Sequence, residues 1–259
     1  MTADAPRIFS PDYYTRMGAL ESGSWWNAAM RDTLADLLRS ANLPERGAAL
    51  DVGCGTGQTM AWLRSLYPRW TYRGIDVASD AVQIACQMGE DAQLASALAI
   101  PAADASVDLV VTLDVVQHLP HPDGDITAIA EMRRVLRAGG LLVLRTNAQG
   151  FPRTQDDPDA MFRKYDAGEL RQKLHQGGFD VLRLSRVNAL LGLAEIPREL
   201  RARKSSGSAG YHGLLAAPAP PGRLDRLKRS WLRLEGRAVA AGVQLPMGRT
   251  ILALCRAAR

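Results

Sequence analysis

Gly53, Gly55 and Gly57 stand at alternate positions in AALDVGCGTGQTM (48–60), just after an apolar run that carries an acid, Asp51. Glycine tolerates positive φ and lets the backbone come close to a ligand. The G-x-G-x-G spacing differs from the G-x-G-x-x-G of a dinucleotide fingerprint, and no Lys-Ser/Thr pair follows for a nucleoside triphosphate. A second acid, Asp76, ends TYRGIDVA (71–78). An ionised carboxylate there is a strong hydrogen-bond acceptor. Further on, TLDVVQHLPHPDGD (112–125) supplies His118 and His121. Imidazoles titrate near neutral pH and suit general-base work. With Asp123 and Asp125 they also read as a metal set. That reading needs further acids from later strands, and LRTNAQG (144–150) offers Asn147 with no acid before it. No metal is expected.

Alternating strands and helices must carry these residues. SWWNAAMRDTLADLLRSA (24–41) places Trp26, Met30, Leu34, Leu37 and Leu38 on one helical stripe, with Ser24 as its cap. Residues 48–52 read as a buried strand that enters the glycine turn, and 56–68 as the next helix, stopped by Pro68. A strand ends at Asp76, and a helix runs from a Ser79 cap to Gly89. A short strand is expected near 92–96 and a stronger one at SVDLVVTLD (106–114), apolar on both faces like a central parallel strand. A helix over 126–138, with Gly139 and Gly140 past its end, precedes a fifth strand at 141–147. Another helix (166–178) and a sixth strand (179–187) follow. The order predicts an open, mostly parallel α/β sheet covered on both faces. Beyond about residue 190, KSSGSAGYHGLLAAPAPPG (204–222) reads as a loop. RLDRLKRSWLRLEGRAVAAG (223–242) reads as an amphipathic helix with Leu224, Leu227, Trp231 and Leu234 on its apolar stripe. RTILALCRA (249–257) closes the chain as a strand.

Composition sets the outer limits. The apolar share of 47% supports a real core. No run of about 18 apolar residues predicts a membrane span, and MTADAPRIFSPDYY (1–14) does not read as a signal peptide. Cys54, Cys86 and Cys255 suit neither a disulfide framework nor a zinc site, so a cytoplasmic setting is expected. The net charge of +5 is uneven: residues 198–259 hold 13 Lys+Arg against 3 Asp+Glu. Such a segment can meet nucleic acid or anionic lipid. Only four of the 32 basic residues are lysines, an Arg-rich bias that codon usage explains equally well.

Four separated motifs carry a resemblance. LDVGCGTG (50–57), GIDVASDAV (74–82), ALAIPAADASVDLVVTLDVVQHL (97–119) and MRRVLRAGGLLVLRTN (132–147) resemble, in order, the motifs of class I S-adenosylmethionine-dependent methyltransferases. The resemblance implies a Rossmann-like, doubly wound seven-stranded sheet. It implies S-adenosylmethionine as cofactor and S-adenosylhomocysteine as product. It places the cofactor against Asp51, Gly53, Cys54, Gly55, Thr56, Gly57, Asp76, Val77, Ala97, Leu98 and Asp114, with Arg31 on the cofactor carboxylate. Where the family usually has an adenine-binding Asp, this chain has Ser96. A cofactor with an ammonium, a sulfonium and a ribose diol, and no phosphate, suits a loop with two acids and no basic partner.

The expected organisation is a helical cap over 1–45, a cofactor-binding core over 46–190, a helical lid or insertion over 191–246, and a final core strand over 247–259. The last 40 residues are similar to the C-terminal part of a bacterial subgroup found beside sugar, lipid or natural-product pathways, where they roof the acceptor site. His118 and His121 are the candidate catalytic residues; Tyr13, Tyr14, Trp25 and Tyr165 are the candidate acceptor-binding aromatics. The expected activity is methyl transfer to a hydroxyl or amine of a small molecule, by a monomer or homodimer. RNA methylation and cofactor binding without catalysis are the alternatives, with a nicotinamide dehydrogenase as a further rival. Membrane-surface contact through the basic helix ranks behind the roof.

Overall fold

A computed structural model describes residues 24–149, 163–189 and 223–258. Six helices and seven strands alternate within them: α1 (Trp25–Ser40), β1 (Ala48–Val52), α2 (Gln58–Leu66), β2 (Thr71–Asp76), α3 (Ser79–Gln87), β3 (Ala92–Leu94), β4 (Val107–Leu113), α4 (Gly124–Val135), β5 (Leu136–Asn147), α5 (Ala167–Gln176), β6 (Phe179–Val187), α6 (Arg223–Ala240) and β7 (Thr250–Ala257). The sheet order is β3-β2-β1-β4-β5-β7-β6. β1 to β5 run parallel, and β7 inserts antiparallel between β5 and β6. This is the mostly parallel Rossmann-like sheet that the motifs imply.

Strand periodicity builds the core. Side chains of a strand alternate between faces. Leu109 and Val111 of β4 and Leu141 and Val143 of β5 join Met30, Leu34, Leu37 and Leu38 of α1 on one side. Val110, Leu142 and Leu144 pack on the other, with Ala128, Ile129 and Met132 of α4 and Leu170 and Leu174 of α5. Residues buried on both faces are why these strands read as continuous apolar runs. Ser24 caps α1 as expected, its hydroxyl accepting from the Asn27 N–H at 3.4 Å.

Two helix ends differ from the sequence reading. The cap of α3 is Ala78, not Ser79. Asp76 Oδ1 takes the Ala78 N–H at 2.9 Å and turns the chain into the helix. α4 ends at Val135, three residues before the expected stop, because Leu136 adopts an extended conformation and pairs with Val107.

The largest difference is in α6. Leu227, Trp231 and Leu234, expected to face inward, are 67%, 47% and 58% exposed. The buried side carries Leu232, Glu235 and Val239. Polar anchors set this rotation. Glu235 accepts the N–H groups of Asn188 (2.8 Å) and Ala189 (3.3 Å) on one oxygen and the Trp231 indole N–H (2.6 Å) on the other. Asp32 of α1 pairs with Arg229 at 3.1 Å and Arg233 at 2.6 Å. Burying a carboxylate without such partners is costly, so the anchors outweigh a simple hydrophobic count. Gly236 lets α6 approach α1: a Cβ added there would lie 2.4 Å from Thr33 Oγ1. Gly236→Val is expected to destabilise the fold by about 2 kcal/mol through overpacking. Gly236→Ala should cost less, because alanine regains about 1 kcal/mol of helix propensity. Urea denaturation measures both, and unchanged stability in the valine variant would mean that α6 does not seat on α1 through Gly236.

Candidate active site

The turn from β1 into α2 is built from left-handed backbone. Gly53, Gly55 and Gly57 have φ of 79°, 53° and 84°. Each glycine answers a different constraint. A Cβ on Gly53 would meet Val115 Cγ2 at 2.1 Å, and one on Gly57 would meet Glu90 Cγ at 2.8 Å. Among the described residues, a Cβ on Gly55 would meet nothing within 4 Å, so its outer side is open with respect to them. The Gly53 and Cys54 N–H groups donate to the Ile75 carbonyl at 2.8 and 3.0 Å, and the Gly55 N–H donates to Asp76 Oδ2 at 2.9 Å. The glycine turn and the end of β2 are therefore one rigid unit. Asp76 receives one backbone N–H on each oxygen, and each oxygen keeps a second lone pair for a ligand.

The local field is negative. Burial pushes the Cys54 thiol pKa up, and the Asp51 and Asp76 carboxylates push it further. Asp51 is 4% exposed at the end of β1. A phosphate would meet these charges unfavourably, and a cationic ligand favourably.

Leu98 follows β3 and donates its N–H to Ser96 Oγ at 3.1 Å. Ala97 is buried and Leu98 half-buried against the core, while Val77 is a 68% exposed rim residue. Asp114 follows β4 with φ of 61°. Arg145 on β5 holds its Oδ2 with two N–H groups at 3.0 and 2.5 Å and lies 5.0 Å from the centroid of the Trp26 ring. The close approach of Gly53 to Val115 joins the glycine turn to this segment. Every strand in this set ends on the same edge of the sheet, the carboxyl edge where open α/β sheets bind ligands.

A 3-10 turn at Val116–His118 carries the first histidine. Burial lowers the His118 pKa, and Asp114 raises it by less, so the surroundings favour the neutral ring. His121 is exposed, with Nδ1 3.0 Å from Arg163 Nη2. A guanidinium only donates, so this Nδ1 accepts.

Tyr165, expected to face the acceptor, is fully buried in the core. Its hydroxyl lies 3.0 Å from Asp125 Oδ2 and 3.1 Å from the Val116 carbonyl. Asp125 is itself fully buried and pairs with Arg163 and Lys173, so it is committed to an ion-pair cluster and not to a metal set. Trp25 is half-buried with the Lys228 ammonium 5.3 Å from its ring centroid, and Arg31 is a half-buried α1 residue. Tyr13 and Tyr14 lie outside the described residues. Sequence reading missed Gln117, Arg145 and Arg163. Gln117 and Arg145 lie inside or beside quoted motifs, but no spacing rule singles them out.

Residues 50–144 match the family described as "Methyltransferase domain". An O-methyltransferase of Penicillium expansum is 30% identical over 147 residues, 51% of this chain and 52% of the relative. A tRNA (carboxymethyluridine(34)-5-O)-methyltransferase of Arabidopsis thaliana is 27% identical over 103 residues, 40% of this chain and 24% of the relative. The chain thus spans about half or less of the length of these curated relatives. Among solved structures, the phosphoethanolamine N-methyltransferase 2 of Haemonchus contortus with S-adenosyl-L-methionine superposes with a TM-score of 0.63 at 14% identity, over 98% of this chain and 58% of that one. At that identity the likeness is one of fold.

Proposed function

Because residues 50–144 form a class I S-adenosylmethionine-dependent methyltransferase domain, we propose that the chain methylates a hydroxyl or amine of a small molecule, such as a secondary metabolite, a sugar or a lipid-linked intermediate. S-adenosylmethionine is the cofactor of this domain. The observation that carries the reading is the negative field at a glycine turn whose Gly55 meets none of the described residues on its outer side. It fits a cationic, phosphate-free nucleoside and disfavours a pyrophosphate.

When bound, the cofactor supplies an electrophilic methyl carbon on a positively charged sulfur. Asp76 would hold the ribose hydroxyls, Asp51 would draw the cationic methionine end, and Arg31 would take its carboxylate. Ala97 and Leu98 would flank the adenine, with the Ser96 hydroxyl beside its amino group. Asp114, fixed by Arg145, would shape the pocket next to the sulfur. His118 would meet the acceptor as a neutral imidazole, and His121 would stand at the rim with Trp25. Alignment and exclusion of water supply most of the acceleration in such a displacement.

At about 100 Kd, S-adenosylhomocysteine is expected to stabilise the chain by about 2.7 kcal/mol, a rise in Tm of roughly 5–10 °C, and NADH is expected to leave Tm unchanged. Thermal shift checks the cofactor. A labelled-methyl assay on metabolites from the gene's neighbourhood checks the acceptor. Stabilisation by NADH alone would overturn the proposal. RNA methylation is a second reading, drawn from the similarity to the Arabidopsis tRNA enzyme and from the basic C-terminal segment. It requires RNA affinity that falls steeply with salt.

A further inference from the structure

Gln117 immediately precedes the histidine of the proposed acceptor site and is 5% exposed. Its side chain is oriented by a group that leaves no choice. Oε1 accepts the backbone N–H of Asn147 at 2.8 Å and the Thr146 hydroxyl at 3.3 Å. A backbone N–H can only donate, so the amide atom facing it is the oxygen. The amide nitrogen then occupies the other position, 3.4 Å from His118 Nε2. That nitrogen also can only donate. A neutral His118 must therefore present an unprotonated Nε2 to Gln117 and carry its proton on Nδ1.

The surrounding bonds hold this arrangement. The Gln117 carbonyl accepts the Arg163 N–H at 2.9 Å, and the His118 N–H donates to the Val115 carbonyl at 2.9 Å. The Tyr165 hydroxyl lies against the Val116 carbonyl. Protonating Nε2 would set two donors against each other across the Gln117 contact. Asp114 at the end of β4 is the carboxylate that acts on the ring, and Arg145 on β5 neutralises it. Arg163, the other cation nearby, is committed to Asp125 and to His121.

We infer that Gln117 is a positioning residue that locks neutral His118 in the Nδ1–H tautomer, so that the one lone pair of the ring, on Nε2, is engaged by the Gln117 amide and is not available as a general base. The inference rests on the proposed function only in giving His118 an acceptor to meet. It separates two uses of the same side chain. A general base needs an available lone pair, whereas a ring whose lone pair is engaged leaves the acceptor's proton to solvent or to another group.

The test is ¹⁵N NMR of the histidine side chains in the free, full-length protein. His118 is assigned by the signal missing from His118→Asn. Above the titration of the ring, the wild-type spectrum is expected to show a protonated-type Nδ1 and a pyridine-type Nε2. Gln117→Glu keeps the shape and still accepts from Asn147 and Thr146, but its second oxygen now faces the ring as an acceptor. The proton is expected to move to Nε2, and the His118 midpoint to rise by about one pH unit or more. A wild-type His118 protonated on Nε2, or a Gln117→Glu variant that keeps the Nδ1–H form, overturns the inference. Should Gln117→Glu fail to fold, the wild-type tautomer decides alone. No cofactor or acceptor enters the measurement, so failure of the methyl-transfer reading would show elsewhere, in the thermal shift and methyl assays.

Discussion

Asp76→Ala is expected to weaken S-adenosylmethionine binding on the order of a hundredfold, or about 3 kcal/mol, the scale of two charge-assisted hydrogen bonds whose effects do not fully add. The carboxylate has two tasks that the variant removes together. It would accept the ribose hydroxyls, and it already fixes the Gly55 and Ala78 N–H groups at 2.9 Å each. Asp76→Asn should fail for a related reason, since an amide nitrogen cannot accept and one of those backbone donors would lose its partner. Titration calorimetry with S-adenosylhomocysteine measures the loss. A cofactor analogue without the ribose hydroxyls separates the tasks: it should bind the wild type weakly and lose little more on binding to Asp76→Ala. An unchanged dissociation constant in Asp76→Ala would remove the ribose assignment.

The glycine turn and Asp76 were legible because their chemistry is local. Positive φ selects glycine within a few residues, and an acid at a strand end is visible in the strand itself. The sheet was legible for a similar reason. Buried parallel strands are apolar on both faces, and turns between them collect glycine and caps. α6 was misread because its rotation is set at long range. Asn188 and Ala189 hold Glu235, and Asp32 holds Arg229 and Arg233. A stripe of Leu227, Trp231 and Leu234 satisfies helical spacing as well as the buried stripe does, so periodicity alone could not choose between them. Tyr165 failed for the same reason. An aromatic after β5 can point into a pocket or into the core, and Asp125, 40 residues earlier, decides which. Gln117 reads as filler beside His118 until the Asn147 N–H shows which way its amide faces.

Asp125→Ala is expected to cost about 4 kcal/mol of stability, a fall in Tm on the order of 10 °C. The carboxylate is fully buried and answers four donors: Arg163, Lys173 at 2.7 Å and the Tyr165 hydroxyl at 3.0 Å on Oδ2, and the Ile126 N–H at 2.9 Å on Oδ1. Lys173 keeps Glu169 as a second partner at 3.1 Å, but Arg163 is left with an 8% exposed cation that has lost its carboxylate. Removing one member of a buried pair leaves the other charge without compensation, which is why the effect exceeds that of any surface pair. The same cluster predicts a pH dependence. Burial alone would raise the Asp125 pKa. Hydrogen bonds from Arg163, Lys173 and Tyr165 outweigh burial and hold it at about 2, below the ordinary 3.8. A depressed carboxylate pKa gives stability that is complete above the unfolded value and lost as pH falls through the folded one. The wild type should therefore lose stability between about pH 4 and pH 2. Asp125→Ala should lose less across that interval, because the titrating group is gone. Acid titrations followed by circular dichroism compare the two, and coincident curves would mean that Asp125 titrates normally. The cluster also reaches the site: Arg163 bonds His121 Nδ1 through Nη2 and the Gln117 carbonyl through its backbone N–H. Asp125→Asn keeps the side-chain volume and part of the hydrogen bonding, so it should fold more stably than the alanine variant. Its Arg163 is less firmly held, so it should still methylate more slowly than the wild type. Wild-type turnover in a folded Asp125→Asn variant would confine the cluster to stability alone.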